Sequence, residues 1–233
     1  MKTSIKAIGT SAIAAFAFTA LSANAQNLLT DPNFDLGISA PNPNPTGTPG
    51  WANFGGAQFL STPLALSGPN VLYTPDNGGG YNVPGSYEVL AASPGETFTY
   101  SGWVYTPNVL PVNGNDFAIL QLTFFTGAPP NNYGGGTGTS FGVNVGQPAG
   151  GGGVPLPQGT WTFASITETA PAGTGSLGAY ILDINADANA DFYFDNMSLT
   201  VAPEPSSFAL VGLGAAVTFY FVRRRKLVNS LTR

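Results

Sequence analysis

Between Gln26 and Val201 apolar and polar positions alternate in short runs, and no stretch of useful length follows the 3.6-residue period of a helix. Runs rich in β-branched and aromatic residues predict strands over 58–60, 71–74, 87–91, 96–105, 117–125, 139–145, 161–169, 177–185 and 191–201. Breakers separate them: a Pro/Asn run over 41–49, Asn77-Gly78-Gly79-Gly80, Asn113-Gly114 and a Gly-rich stretch over 134–153. The clearest run is 97–105. Period two puts Phe98, Tyr100, Gly102 and Val104 on one face, which should fill a core. Thr97, Thr99, Ser101, Trp103 and Tyr105 share the other face, polar apart from two rings. Many short, evenly spaced strands predict an all-β domain, an antiparallel sandwich of the jelly-roll type. No internal repeat is visible.

Two segments depart from this pattern. Lys2 and Lys6, an apolar stretch over 7–21 and the small-x-small site Ala23-Asn24-Ala25 read as a secretory signal, with the mature chain starting at Gln26. At the other end Pro203-Glu204-Pro205 precedes an apolar segment, about 206–222, that reads as a transmembrane helix. Arg223-Arg224-Arg225-Lys226 follows and should stay cytoplasmic, leaving residues 26–201 outside; residues 227–233 form a short cytoplasmic extension.

Charge narrows the chemistry. All seven Lys and Arg lie in the terminal segments, and residues 26–222 contain none. The chain has no His and no Cys. Without bases the domain cannot neutralise phosphate, which excludes nucleic acid as a partner. Ser/His, Cys/His and Schiff-base catalysis lack their residues, as do His/Cys zinc sites. Asp76, Glu88, Asp116 and Glu168 could serve glycoside hydrolysis only as a pair, and nothing in their positions pairs any two. We expect no enzyme.

The C-terminal order of Pro203-Glu204-Pro205, a short apolar helix and Arg223, Arg224 and Arg225 resembles the PEP-CTERM sorting signal. The resemblance implies recognition by an exosortase in a Gram-negative bacterium that makes exopolysaccharide. It also implies export through the inner membrane to the envelope, outer surface or extracellular matrix. Between the ends, Asn27-Leu28-Leu29-Thr30-Asp31-Pro32-Asn33-Phe34-Asp35, Pro49-Gly50-Trp51, the run from Ser93 to Val104, Trp161-Thr162-Phe163 and Phe192-Tyr193-Phe194-Asp195-Asn196-Met197-Ser198-Leu199 are similar in order to the galactose-binding-like jelly rolls, especially carbohydrate-binding modules. That resemblance implies a structural calcium site with side chains from Asp35 and Asp195, backbone carbonyls near Leu29 and Phe34, and Asp31 as an extra ligand. On the residues alone, Asp31 is equally a turn-former before Pro32, and Asp195 a polar strand residue. A second acidic array, Asp183-x-Asn185-x-Asp187-x-Asn189-x-Asp191, departs from a calcium loop at Ala188 and Phe194 and reads as a solvated hairpin.

For sugar, Trp103 and Tyr105 offer flat rings on an otherwise polar face, and Tyr81, Tyr87 and Tyr133, in or near loops, could add to it. The alternative is that Trp103 packs under a covering loop; Trp51, after a Pro-Gly turn, reads as core. The leading expectation is a non-catalytic, exosortase-sorted surface or matrix protein that binds or organises exopolysaccharide. A structural or adhesive protein without sugar binding is the runner-up, and a glycosidase is third.

Overall fold

The computed structural model describes residues 26–40, 49–75, 83–108, 116–126, 138–146, 153–184 and 190–202. The expected signal with Ala23 and Ala25, the residues Asp76, Tyr81 and Tyr133, and the tail from Pro203 through Arg233 lie outside them, including the helix expected over 206–222.

Among the described residues there are ten strands and no helix: β1 (Ala52–Phe54), β2 (Gln58–Ser61), β3 (Asn70–Thr74), β4 (Gly85–Ala91), β5 (Thr97–Tyr105), β6 (Phe117–Thr126), β7 (Gly138–Val145), β8 (Thr162–Thr169), β9 (Thr174–Ile184) and β10 (Phe192–Val201). Hence no described helix is long and apolar enough to cross a membrane. The strands form two five-stranded sheets, ordered β1-β4-β9-β6-β7 and β2-β3-β10-β5-β8, with every named pair antiparallel. The sequence predicts nine of these within a few residues. It misses β1, whose three residues are too few for period two to show.

Strand β5 alternates without exception: Phe98, Tyr100, Gly102 and Val104 are buried, and the residues between them are half-buried. Its inner side meets Leu120, Leu122 and Phe124 of β6 and Leu177, Ala179 and Ile181 of β9 in one apolar core between the sheets. Trp51 is fully buried there, 5.3 Å from the ring of Phe34, with its indole N–H donating to the Asp31 carbonyl at 2.9 Å. The core reading of Trp51 is met.

Strand β10 lies between β3 and β5 and needs an irregularity to face the core along its whole length. Phe192 and Phe194 point inward, and strict alternation would then turn Met197 and Leu199 outward. A bulge between Asp195 and Ser198, with Asn196 at φ 50°, inserts one residue and resets the phase. Asn tolerates this left-handed conformation better than most residues. As a result Phe192, Phe194, Met197 and Leu199 are all buried, and Asp195 stays on the outer side. The β10 ladder runs to the end of the domain: Val201 pairs with Phe98, and the Ala202 N–H donates to the Thr97 carbonyl at 2.8 Å. The next residue in sequence is Pro203.

Candidate functional site

The outer face of the second sheet is built by register. Tyr193 of β10 pairs with Tyr73 of β3 on one side and Tyr105 of β5 on the other. Trp161, just before β8, continues this row. The ring centroids are 5.0 Å (Tyr73–Tyr193), 5.8 Å (Tyr193–Tyr105) and 5.4 Å (Tyr105–Trp161) apart. One step along the strands, Trp103 pairs with Phe163 of β8, the rings meeting edge to face at 5.4 Å. Phe163 is 50% exposed, and the other rings are half-buried. Beyond them the same face turns to hydroxyls. Ser101 sits between Ser198 and Ser165, Thr99 between Thr200 and Thr167, and Thr97 opposite Thr169. The Thr99–Thr167 and Thr97–Thr169 hydroxyl pairs are each 2.9 Å apart. Burial, and then the nearby Asp191 and Tyr105, push the Tyr193 phenol upward, so it stays neutral.

A loop crosses this face. Residues 62–69 leave β2 and return as β3. Two backbone donors, Leu66 N–H and Ser67 N–H, reach Asp195 Oδ2 at 2.8 Å each. The Trp161 indole N–H holds the Leu64 carbonyl at 3.0 Å. The loop is thus fastened on both sides of Trp103, and its Leu64 and Leu66 side chains remain exposed. Trp103 is therefore half covered, between the two readings its sequence left open.

Trp103 and Tyr105 are brought together as expected, but Tyr87 is not with them. It lies on β4 in the opposite sheet, on that sheet's outer face, stacked on Tyr180 at 5.0 Å and 15°. The phase of β4 fixes which side of its own strand Tyr87 occupies and carries no information about which sheet the strand joins. Tyr87 and Tyr180 belong to a small apolar cluster with Ala52, Val89 and Phe125. Beside it Gln121 donates to the Thr123 hydroxyl, which pairs with Ser140 at 3.0 Å. Burial, then Tyr87, raises the Tyr180 phenol above its ordinary range. Sequence reasoning also missed Tyr73, Trp161, Phe163 and Tyr193. Trp161-x-Phe163 has the same spacing as Trp103-x-Tyr105, a signal that becomes useful only once β5 and β8 are known to be neighbours.

The three expected calcium ligands are all engaged by the protein. Asp195 is fully buried and accepts Leu66 N–H and Ser67 N–H on Oδ2 and Asn196 N–H at 2.6 Å on Oδ1; the Ser67 hydroxyl lies 3.3 Å from Oδ1 and has its shorter partner, at 2.7 Å, in Asn196 Oδ1. Desolvation raises its pKa, and these hydrogen bonds oppose the rise. Asp35 Oδ1 accepts Asn70 N–H, and its carboxylate lies against Gly68 so closely that a Cβ there would be 2.0 Å from Oδ2. Asp31, also buried, accepts Leu36 N–H and Ile38 N–H. Among the described residues no three acidic groups gather for a metal. In this arrangement Asp31, Asp35 and Asp195 each accept backbone amides that hold loops in place. In the second acidic array, Asp183 is buried on β9, Asp191 accepts the Tyr73 hydroxyl at 2.8 Å, and residues 185–189 are outside the described set. Of the other carboxylates, Glu88 faces inward from β4 and accepts the Thr30 hydroxyl and amide, while Glu168 lies opposite Phe98 on β8.

Among solved structures, the chain is similar to TmCBM61 in complex with beta-1,4-galactotriose, at 14% identity over 75% of this chain and 98% of that one, with a TM-score of 0.45. It is similar to the CBM22-1 xylan-binding domain from Paenibacillus barcinonensis Xyn10C, at 16% identity over 76% and 95%, TM-score 0.44. The bacteriophage CBA120 tailspike protein 4 enzymatically active domain is matched at 12% identity over 76% of this chain and 21% of that one, TM-score 0.47. These are resemblances of architecture and place no ligand here. No curated protein sequence matches the chain. Residues 201–226 match the PEP-CTERM protein-sorting motif, so the chain carries a signal for export and sorting to the cell envelope.

Proposed function

We propose that this is a non-catalytic surface protein, sorted by an exosortase in a Gram-negative envelope, that binds exopolysaccharide on the outer face of its second sheet. The observation that carries the reading is the half-exposed row Tyr73–Tyr193–Tyr105–Trp161 with Trp103 and Phe163 beside it and hydroxyls beyond. Apolar faces of sugar rings stack on aromatic rings, while hydroxyls supply hydrogen bonds that orient them. The absence of His, Cys, Lys and Arg from residues 26–222 supports a binding role over catalysis.

A second reading moves the site to the other outer face, where Tyr87 and Tyr180 stack beside Gln121, Thr123 and Ser140. Its rings are 3% and 6% exposed against 50% for Phe163, which leaves them little surface to offer a ligand and favours the first face.

The test applies the protein purified from the producing strain to a glycan array and to that strain's exopolysaccharide, with calcium and with chelator. Binding that falls in Trp103→Ala and Phe163→Ala supports the reading; a folded protein that binds nothing makes it a structural or adhesive protein. For sorting, Glu204→Ala or deletion of residues 223–226 should leave the protein in the inner membrane, and normal arrival at the surface would sink the exosortase assignment.

A further inference from the structure

All bases of the chain lie outside residues 26–222, while eleven acids lie between Asp31 and Asp195. The aromatic face shares this lack of counter-charge. Its nearest carboxylates are engaged: Asp195 is buried beneath loop 62–69 with three backbone donors, and Asp191 accepts the Tyr73 hydroxyl. The remaining outward groups of β5, β8 and β10 are rings and the hydroxyls of Ser and Thr, together with the Asn196 amide at the bulge. A polymer bearing uronate, sulfate or phosphate would have to bring its charges against this surface with no cation to receive them. Burying an unpaired charge is costly, and the long-range field of the domain repels it as well.

Resting on the polysaccharide-binding reading above, we infer that the site selects an uncharged polysaccharide, laid across the strands along the Tyr73–Tyr193–Tyr105–Trp161 row. The row crosses from β3 to the edge at β8, three inter-strand spacings or about 14 Å. That is long enough for an extended segment of chain rather than a single sugar. Phe163, beside the row and half-exposed, completes the platform at the β8 edge. Recognition by stacking and neutral hydrogen bonds does not depend on ionic strength, unlike recognition between charges.

The experiment measures affinity of the full-length protein in detergent for dextran, β-1,4-galactan and xylan as uncharged polymers. Alginate and hyaluronan serve as uronate polymers, and the producing strain's exopolysaccharide is included. Each is run at low and high salt, with and without chelator. The expected result is binding to an uncharged polymer that changes by less than about twofold with salt. Phe163→Ala and Tyr105→Ala should each weaken it by about tenfold, with unchanged circular dichroism. Preference for alginate or hyaluronan, lost with chelator, overturns the inference in favour of cation bridging. Sugar binding untouched by both substitutions overturns the placement while leaving polysaccharide binding intact. No binding to any polymer, by a folded protein, overturns the underlying reading as well.

Discussion

Replacing Asp195 tests how the aromatic face is held together. Its carboxylate fastens loop 62–69 to β10 through Leu66 N–H and Ser67 N–H, and it caps the bulge through Asn196 N–H. Asp195→Ala leaves three backbone donors without an acceptor. A buried donor left unsatisfied costs about 1–3 kcal/mol. The loop is exposed on its outer side, at Leu64 and Leu66, so the Leu66 and Ser67 amides can recover water by lifting away. The loss should therefore fall at the low end for those two, about 3–5 kcal/mol in all with the Asn196 amide, or roughly 6–20 °C in Tm for a domain of this size. Lifting also breaks the Trp161–Leu64 bond, so Trp fluorescence should shift to the red and proteases should cut between residues 62 and 69. Asp195→Asn keeps one acceptor oxygen and should lose about half as much. Thermal melting, emission spectra and limited proteolysis of the three proteins make the comparison. A Tm within about 1 °C of wild type for Asp195→Ala, with the loop still resistant, would refute the argument that this carboxylate pins the loop.

Three further outcomes follow from the same geometry. Chelator should leave the melting of the wild-type protein unchanged; a lowered Tm restored by calcium would instead put an ion at Asp35 and Asp195. Burial raises the phenols of Tyr100 and Tyr180 above the ordinary value of 10.0. Each therefore favours the folded state fully below that value and loses its contribution as pH rises through its folded one. An ultraviolet titration should show these two ionising only as the protein unfolds above about pH 10, and early ionisation of all nine tyrosines in a folded protein would contradict it. Gly85→Ala places a Cβ 2.3 Å from the Ile181 carbonyl oxygen, a backbone atom that cannot swing aside, and should cost about 1–3 kcal/mol in urea unfolding; a neutral result would mean that β4 and β9 can separate freely.

Much of the fold was legible where a strand is wet on one side and dry on the other, as residues 97–105 show; β4 and β9 are buried on both faces over much of their length and lack that alternation. The alternation of residues 97–105 located both the core residues and the ring-bearing face. What one strand cannot report is its neighbour. Trp161 and Phe163 join the site through pairing of β8 with β5, and Tyr87 leaves it because β4 joins β9. The bulge at Asn196 was hidden for a related reason: a one-residue phase change inside a strand looks, in sequence, like imperfect alternation. Asp195 reads equally well as a cation ligand or as an acceptor for backbone amides. That the amides of residues 62–69 reach it depends on the path of a loop from β2 to β3, which no single strand reports.

The last rung of β10 bears on mechanics. Val201 is still paired with Phe98 and Ala202 still donates to Thr97, and the sorting tripeptide starts at the next residue. The paired strand therefore runs up to the residue before the Pro-Glu-Pro of the sorting motif. A pull applied at Ala202 would enter an interior strand along its axis, with β3 on one flank and β5 on the other. Pulled this way, the ladder bonds resist together in shear rather than opening one at a time like a zipper. Drag from moving fluid or from a tugging polymer, if borne at this end, would meet the strong direction of the sandwich.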